Sequence, residues 1–208
     1  IAEIKSVPDW KSISPKQISV MISQKNNGNG HGIYIQIPRV KQPIPIFILF
    51  RALGILSDKD ICKKIVLDLE NTQYLYQLNA SIIEGNTYTT EEQALKYIVS
   101  LVLFTPLNMD KETGQLKKRA FAIEILKNDL FPHCHTKDEK IYFLGYMILK
   151  LLKCYNKEIP CDDRDSYLNK RIDLTGVLLN NLFRNYFNKL VKDMQKQIIR
   201  EINNGSWK

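Results

Sequence analysis

The sequence predicts an α+β fold, a mostly helical single domain with a small N-terminal antiparallel β element. Two stretches that alternate apolar and polar residues, at 17–24 and 33–37, predict the β element. Apolar residues recur at helical spacing through most of the remaining chain and predict a helical body. We expect one domain over residues 1–208, with a β-hairpin element at about 14–40 and a helical body at 44–203.

A turn-forming stretch joins the two predicted strands. In the first strand, Ile18, Val20 and Ile22 alternate with polar neighbours and should share one face of the sheet. The connecting residues, N-N-G-N-G-H-G at 26–32, contain Asn-Gly pairs that supply the positive φ angles a hairpin needs. No G-K-S or G-K-T follows these glycines, so they do not predict a phosphate-binding loop. We expect His31 to be an ordinary loop residue.

Seven helices are predicted in the rest of the chain. Their expected ranges are 46–55, 57–69, 72–84, 89–104, 117–130, 141–152 and 174–194. Ser57 with Asp60, and Thr89 with Glu92, have the spacing of capping pairs at helix starts. The best loop candidate in the middle of the chain is T-P-L-N-M-D-K-E-T-G at 105–114.

Two strongly apolar runs should form the centre of the core. The run at 46–55 predicts a short buried helix, and its single charged residue, Arg51, should pair with an acid while its stem packs. The run at 141–152 is apolar around nearly its whole circumference. Tyr142 and Tyr146 in that run could stack on nucleobases, but their spacing places them on one helical stripe, which favours packing at the core or its rim.

The charge balance predicts an anionic partner or a basic face. The chain has 30 Lys and Arg against 22 Asp and Glu, a net charge of +8. Lys117, Lys118 and Arg119 are the densest group of cations and predict either a solvated helix surface or a phosphate contact near duplex nucleic acid. The longest apolar run, about a dozen residues, contains Lys150 and is too short to cross a bilayer. We therefore expect no membrane partner.

A charged segment at 162–176, D-D-R-D-S-Y-L-N-K-R-I-D-L-T-G, follows the helical body. Its charged residues are Asp162, Asp163, Arg164, Asp165, Lys170, Arg171 and Asp173. Clustered carboxylates could bind a divalent metal, as in a metal-dependent phosphohydrolase built on the first three aspartates. A guanidinium within the acidic group and a Lys-Arg pair before the last Asp instead favour a structural loop held by ion pairs and helix-capping carboxylates.

The cysteines and histidines give a weaker indication of metal binding. The cysteines, none in C-x-x-C spacing, are Cys62, Cys134, Cys154 and Cys161. We expect buried thiols in a reduced, intracellular setting, because three of the four lie in or beside helical patterns. His133, Cys134 and His135 could form a zinc site with Cys154 and Cys161 downstream. The alternate spacing of the two histidines does not match common structural zinc sites.

Three separated motifs, in a fixed order, carry a family resemblance. They are P-I-P-I-F-I-L-F-R-A-L-G-I-L-S-D at 43–58, I-Y-F-L-G-Y-M-I-L-K-L-L at 141–152, and D-D-R-D with N-K-R-I-D-L-T-G-V-L-L at 162–179. Together they resemble the lobe region of the second-largest, beta-like subunit of nuclear-type multisubunit DNA-directed RNA polymerases. Ser166, Tyr167 and Leu168 stand where that family usually has a Gly, which suggests a divergent polymerase, such as that of a large DNA virus.

The resemblance implies a function in transcription. It implies an α+β lobe that lines the DNA cleft and docks initiation or elongation factors, with DNA and the other subunits, chiefly the largest, as partners. The whole enzyme would be a nucleotidyltransferase that needs magnesium, whereas this fragment would carry no catalytic residues and no cofactor. The location would be intracellular: the nucleus for a cellular enzyme, the host cytoplasm or virion for a viral one.

Two further expectations complete the sequence analysis. The chain begins at Ile1 instead of Met, and we expect it to be a fragment of a longer polypeptide. A free-standing basic module that binds nucleic acid or another protein is the alternative function. Steeply salt-dependent DNA binding by the chain alone would favour that alternative.

Overall fold

A computed structural model shows an α+β protein that is mostly helical, as predicted. It describes residues 1–6, 15–26, 28–104, 111–163, 165–170, 172 and 174–205. Two compact units can be distinguished, Ile1–Pro160 and Cys161–Lys208. The bounds predicted for the domain and its two elements stay predictions.

One four-stranded antiparallel sheet lies in the first unit, in the order β1-β2-β3-β4. The strands are β1 (Ala2–Ser6), β2 (Lys16–Asn26), β3 (His31–Gln36) and β4 (Ile44–Pro45). The predicted hairpin is confirmed as β2 and β3, with Val20 opposite Ile35 and Ile22 opposite Ile33. The outer strands β1 and β4 were not predicted, because five and two residues are too few to show a clear alternation.

The turn of the hairpin follows the predicted chemistry. The side-chain oxygen of Asn26 accepts backbone hydrogen bonds from Gly28 and Gly30, at 2.9 and 3.1 Å. These two glycines have φ angles of 88° and 116°, which side chains with a Cβ rarely adopt. His31 is the first residue of β3 and not a loop residue, and its ring bonds to the carbonyl of Ser23.

The described residues form seven helices at the predicted places. They are α1 (Ile46–Ala52), α2 (Asp58–Val66), α3 (Thr72–Gly85), α4 (Glu91–Leu101), α5 (Lys111–Asn128), α6 (Lys137–Tyr155) and α7 (Thr175–Asn203). The predicted loop at 105–114 is wrong for residues 111–114, which open α5, and its residues 105–110 lie outside the described part of the chain. Helix α2 is shorter than expected, since the backbone of Leu67 turns to a φ of 65°.

Side-chain caps set the helix starts. The prediction for Ser57 is confirmed, because its side chain accepts the backbone N–H of Asp60. The pair Thr89 and Glu92 is a wrong prediction, since Thr90 caps α4 and exchanges reciprocal hydrogen bonds with its third helical residue, Gln93. The sequence offered two adjacent threonines, and only the backbone geometry decides between them.

The core of the first unit is formed by the sheet, α1 and α6. Every residue of α1 is buried, and α6 contributes an apolar face that includes Ile141, Leu144 and Ile148. Glycines allow close contacts: a Cβ atom at Gly85 would meet Phe47, and one at Gly145 would overlap the carbonyl oxygen of Lys64 in α2. The prediction of a central core helix at 141–152 is confirmed.

The second unit contains the charged segment followed by α7. This helix has 29 residues, none of them buried. The apolar side chains that recur at helical spacing are exposed: Leu174, Val177, Leu178, Leu182, Phe183, Tyr186, Phe187, Leu190, Val191 and Met194. The rings of Phe183 and Phe187 stack with 5.8 Å between centroids, as expected for side chains one turn apart. The helix continues beyond the predicted end at 194 to Asn203, and Gly205 follows with a φ of 67°.

Candidate functional site

The predicted basic run lies in the first half of α5. The second half of that helix anchors it, because Ala122 and Ile125 are fully buried. The cations point away from this anchor: Lys117 and Arg119 are exposed and Lys118 is half-buried. The structure therefore places the three residues on the surface of a well-packed helix.

Two of the three cations contact α4. The amine of Lys118 donates to the carbonyl oxygen of Ser100 at 3.5 Å, near the end of α4. The guanidinium of Arg119 lies 3.9 Å from the carboxylate of Glu92, with both side chains more than half exposed. Exposed pairs of this kind contribute about 1 kcal/mol or less, so an anionic ligand could replace Glu92 at small cost. A phosphate contact by this run stays a prediction.

The charged segment forms a local turn in the second unit. Asp163 accepts the backbone N–H of Asp165 on its side chain at 3.0 Å and the side-chain amide of Asn169 on its backbone oxygen at 2.7 Å. The ammonium of Lys170 lies 3.9 Å from the carboxylate of Asp165, whose side chain is 89% exposed. The described contacts therefore stabilise a turn by backbone hydrogen bonds and one exposed ion pair.

Three of the predicted ion-pair residues, Arg164, Arg171 and Asp173, lie outside the described residues. Asp162 is described and exposed. No group of three or more histidine, cysteine or acidic side chains suited to a metal ion occurs among the described positions. The ion-pair role of this segment stays a prediction for these positions.

The single charged residue of the apolar run at 46–55 is a buried guanidinium in the first unit. Arg51 is 2% exposed and lies 2.5 Å from the carboxylate of Asp58. It also donates to the backbone oxygens of Gly85 and Tyr88 and to the side-chain oxygen of Asn86. One cation thus connects the end of α1 with the start of α2 and the end of α3. The predicted pairing of Arg51 with an acid is confirmed.

A second buried ionic group was missed by sequence reasoning. Asp129 is 2% exposed at the end of α5 and accepts a hydrogen bond from Arg39 at 2.5 Å. The ammonium of Lys16, in β2, lies 3.1 Å away. The only sequence signal is a single acid beside the apolar pair Leu130 and Phe131, because its partners are about 90 and 110 residues earlier.

Lys140 is a buried cation at the start of α6. Its amine donates to the backbone oxygens of Leu126 and Lys127, the last carbonyls of α5. Burial lowers the pKa of this amine, while the charges of Cys134 and Asp129 act in the opposite direction. The lysine therefore satisfies carbonyls that a helix end leaves without partners.

The histidines and cysteines that were considered as zinc ligands make other contacts. The ring of His133 hydrogen-bonds to the hydroxyl of Ser6 at 2.7 Å, and the backbone N–H of His135 donates to Glu139. Cys62 and Cys134 are buried, Cys154 is partly buried and Cys161 is exposed. Burial raises the pKa of Cys134, with the charge of Glu139 adding to the shift.

Most of the chain matches one known protein family. Residues 4–173 match the family model described as RNA polymerase Rpb2, domain 2. The chain belongs to this family. The matched residues include nearly all of the sheet, helices α1 to α6 and most of the charged segment. The resemblance to the second-largest polymerase subunit that the three motifs indicated is therefore confirmed.

Several proteins from different organisms have sequences similar to this chain. The chain is 34% identical to DNA-directed RNA polymerase II subunit 2 of Arabidopsis thaliana over 99% of its length, and 36% identical to DNA-directed RNA polymerase II subunit RPB2 of Encephalitozoon cuniculi over 98%. It is 32% identical over 93% to DNA-directed RNA polymerase subunit 2 of Acanthamoeba polyphaga mimivirus. The chain spans 17% of the length of each of these relatives. Among the described helices of this Rpb2 domain, none is long and apolar enough to cross a membrane.

Proposed function

We propose that this chain is the lobe region of the second-largest subunit of a DNA-directed RNA polymerase, where it lines the DNA cleft and docks initiation or elongation factors. The observation that carries this proposal is the Rpb2 domain 2 match over residues 4–173. The identity to RNA polymerase II subunits over nearly the whole chain supports it. The chain would bind other polymerase subunits, chiefly the largest, and DNA.

The charge distribution supports a position beside DNA. The chain has a net charge of +8, and Lys117 is exposed on α5 next to Lys118 and Arg119. Cations on a rigid helix can contact phosphates while releasing counterions, which favours binding to the DNA backbone irrespective of its sequence. We assign these three residues as the phosphate contact.

We assign no catalytic residue and no cofactor to this part of the polymerase. Asp162, Asp163 and Asp165 belong to a segment whose sequence also contains cationic residues, and the ammonium of Lys170 lies 3.9 Å from the carboxylate of Asp165. The magnesium needed for nucleotidyl transfer would bind elsewhere in the enzyme. In a calorimetric titration with magnesium, we expect no binding to the chain and no difference between it and Asp163→Asn.

The proposed location follows from the proposed enzyme. A cellular polymerase of this kind would act in the nucleus, and a viral one in the host cytoplasm or the virion. The mimivirus relative supports a viral source as one of the two options.

A second candidate function is a free-standing module that binds nucleic acid or another protein. The net charge of +8 and the exposed basic run on α5 favour it. Such a module would bind duplex DNA without other subunits, and its affinity would fall steeply with salt. We expect the isolated chain to bind DNA only weakly, because a cleft contact supplies few phosphate contacts of its own.

Replacement of the matching segment in a known subunit tests the lobe assignment. The chain is 36% identical over 202 residues to DNA-directed RNA polymerase II subunit RPB2 of Schizosaccharomyces pombe. In a chimeric subunit that carries this chain in place of the matching segment, we expect co-purification with the largest subunit and transcription from a DNA template. A deletion of the same segment serves as the control.

The outcomes separate the two candidate functions. Assembly of the chimera with transcription above that of the deletion supports the lobe assignment. A chimera that fails to assemble, together with tight and salt-dependent DNA binding by the isolated chain, would overturn it in favour of the free-standing module.

A further inference from the structure

Two exposed tyrosines and two lysines lie side by side on α2 and α6. Tyr142 and Tyr146 are 54% and 52% exposed, at the rim of the core that their helix forms. The ammonium of Lys64 lies 4.0 Å from the ring centroid of Tyr142 and donates to its hydroxyl oxygen at 2.6 Å. The ammonium of Lys150 lies 5.5 Å from the ring centroid of Tyr146. We call these four residues the tyrosine–lysine surface.

The folded core holds this surface in place. Gly145 lets α2 approach α6 so closely that a Cβ atom there would overlap the carbonyl oxygen of Lys64. On α6, Tyr142, Tyr146 and Lys150 follow one another at intervals of four residues and share one face. The geometry of the surface is therefore set by two packed helices before any partner binds, which lowers the ordering cost of binding.

The two cations of this surface are available to an external anion. Within the described residues, neither Lys64 nor Lys150 forms a salt bridge with a carboxylate. The nearest acid to Lys64 along α2 is Asp60, which is exposed and stands one helical turn before it. On α6 the acids before Tyr142 are Asp138 and Glu139, both exposed, and the carboxylate of Glu139 accepts the backbone N–H of His135. The lysines contact tyrosine rings instead, which orients their ammonium groups without neutralising them.

The chemistry of the surface favours a protein partner over a nucleic acid. Exposed tyrosines are typical anchors of protein–protein contacts, because a large ring and a polar hydroxyl bind with little loss of conformational freedom. A nucleobase stacks best on a ring face without a neighbouring group, and here lysine ammonium groups lie 4.0 and 5.5 Å from the two ring centroids. Lysine ammonium groups pair well with carboxylates, so an acidic segment complements this surface.

We propose that the tyrosine–lysine surface docks an acidic segment of a protein factor. Carboxylates of that segment pair with Lys64 and Lys150, and its apolar side chains cover the rings of Tyr142 and Tyr146. This assignment gives the factor docking proposed above a location and a partner chemistry, and it rests on that proposal.

A binding measurement with the full chain tests the assignment. The probe is a fluorescein-labelled peptide that repeats Asp, Glu, Phe and Leu, and its binding is followed by fluorescence anisotropy. We expect the double variant Lys64→Glu/Lys150→Glu to bind the peptide at least about tenfold more weakly than the unchanged chain. The matched control, Lys25→Glu/Lys41→Glu, makes the same change in net charge at two exposed positions outside the surface.

A second variant distinguishes a loss of charge from a loss of folded structure. Lys64→Met/Lys150→Met keeps an unbranched side chain of similar length beside the rings and removes the charges, and it should also weaken peptide binding. Equal binding by the Lys64/Lys150 variants and the control would overturn the assignment, as would no binding to the unchanged chain. A single-stranded oligo(dT) that binds more tightly than the peptide, and loses affinity in the same variants, would overturn it in favour of nucleic acid.

The assignment and the lobe proposal can fail separately. If peptide binding does not depend on Lys64 and Lys150, only the docking assignment to the tyrosine–lysine surface fails, even if the chimeric subunit assembles. A chimera that does not assemble, together with tight and salt-dependent DNA binding by the isolated chain, removes the lobe proposal, even if the peptide binds as expected.

Discussion

Two ionic groups of this protein differ sharply in their surroundings. Arg51 is 2% exposed and connects three helices of the first unit. Asp165 and Lys170, in the charged segment of the second unit, form a pair whose side chains are 89% and 49% exposed. Charged residues are densest in this segment of the sequence. Among the described residues, however, the ionic group with the most partners is a single arginine in an apolar run.

Burial explains why the isolated charge matters more for stability. Water screens an exposed pair, which contributes about 1 kcal/mol or less. Removal of one partner from a buried pair leaves an uncompensated charge and unpaired polar groups, and typically costs about 3–5 kcal/mol. A high density of charge in a sequence therefore indicates where ion pairs can form. Whether the stability of the fold depends on an ion pair is decided by its burial.

The largest expected effect is that of Arg51→Ala. This change removes the partner of Asp58 and leaves the carbonyl oxygens of Gly85 and Tyr88 without their donor. We expect the free energy of unfolding to fall by about 3–5 kcal/mol. Urea unfolding followed by circular dichroism measures it, with Arg119→Ala as the exposed control. Equal stability of the two variants would contradict the role of burial.

A smaller loss is expected from Gly145→Ala. The new methyl group would overlap the carbonyl oxygen of Lys64, so α2 and α6 would have to separate. We expect a loss of about 1–3 kcal/mol, as for other overpacked sites. The control is Gly176→Ala in α7, where a Cβ atom would meet nothing within 4 Å. A Gly145 variant as stable as the Gly176 variant would show that the two helices are not in close contact.

Arg164→Ala and Asp173→Ala extend the comparison to positions outside the described residues. Each is expected to lower the stability, because it leaves an opposite charge of the segment without its partner. Thermal unfolding of the two variants measures the effect. If neither variant unfolds at a lower temperature than the unchanged chain, the ion-pair interpretation of the segment is wrong.

The stability should also depend on pH through Tyr74. Its hydroxyl donates to the carboxylate of Glu158 at 2.6 Å, and burial together with this carboxylate raises its pKa from 10.0 to about 12. The folded state thus holds the proton more tightly than the unfolded chain. The contribution is fully present below pH 10 and is lost as the pH rises through 12.

Unfolding experiments between these pH values compare Tyr74→Phe with the unchanged chain. The variant cannot ionise at this position, so its stability should decline less steeply with rising pH. Tyr76→Phe, at an 81% exposed position, is the control and should follow the unchanged chain. Identical slopes for all three proteins would refute the contribution of Tyr74.

The smallest effect is expected from Asp165→Ala. Its carboxylate is exposed and lies at the far limit of a salt bridge, 3.9 Å from Lys170. We expect no measurable change in the unfolding midpoint, because solvent and salt screen this pair. A loss of stability as large as that of Arg51→Ala would show that the fold depends on the ion pairs of the charged segment.

Much of the fold could be predicted from the sequence because local signals were clear. Alternating isoleucines and Asn-Gly pairs identify the hairpin, and helical spacing identifies the seven helices found in the described part of the chain. Strands β1 and β4 escaped prediction because they exist only through pairing with distant residues, as Ile4 does with Ile18. The start of α5 was placed too late because Lys111 to Gly114 include a Thr and a Gly, which are weak helix formers.

The candidate site was predicted less completely for the same reason. The basic run on α5 and the pairing of Arg51 follow from single residues in a recognisable context. The partners of Asp129, namely Arg39 and Lys16, come from different elements far away in the chain. The contact of Lys64 with Tyr142 likewise depends on the crossing of two helices, which no local pattern specifies.

The position of the basic run in an assembled polymerase tests the lobe proposal most directly. A photo-crosslinking amino acid is placed at Lys117, Lys118 or Arg119 of the chimeric subunit, and at Lys41 as a control, before the polymerase is loaded on a labelled DNA template. The account predicts crosslinks to DNA from the α5 positions and not from Lys41. An active polymerase that forms none from any of the three α5 positions would contradict it.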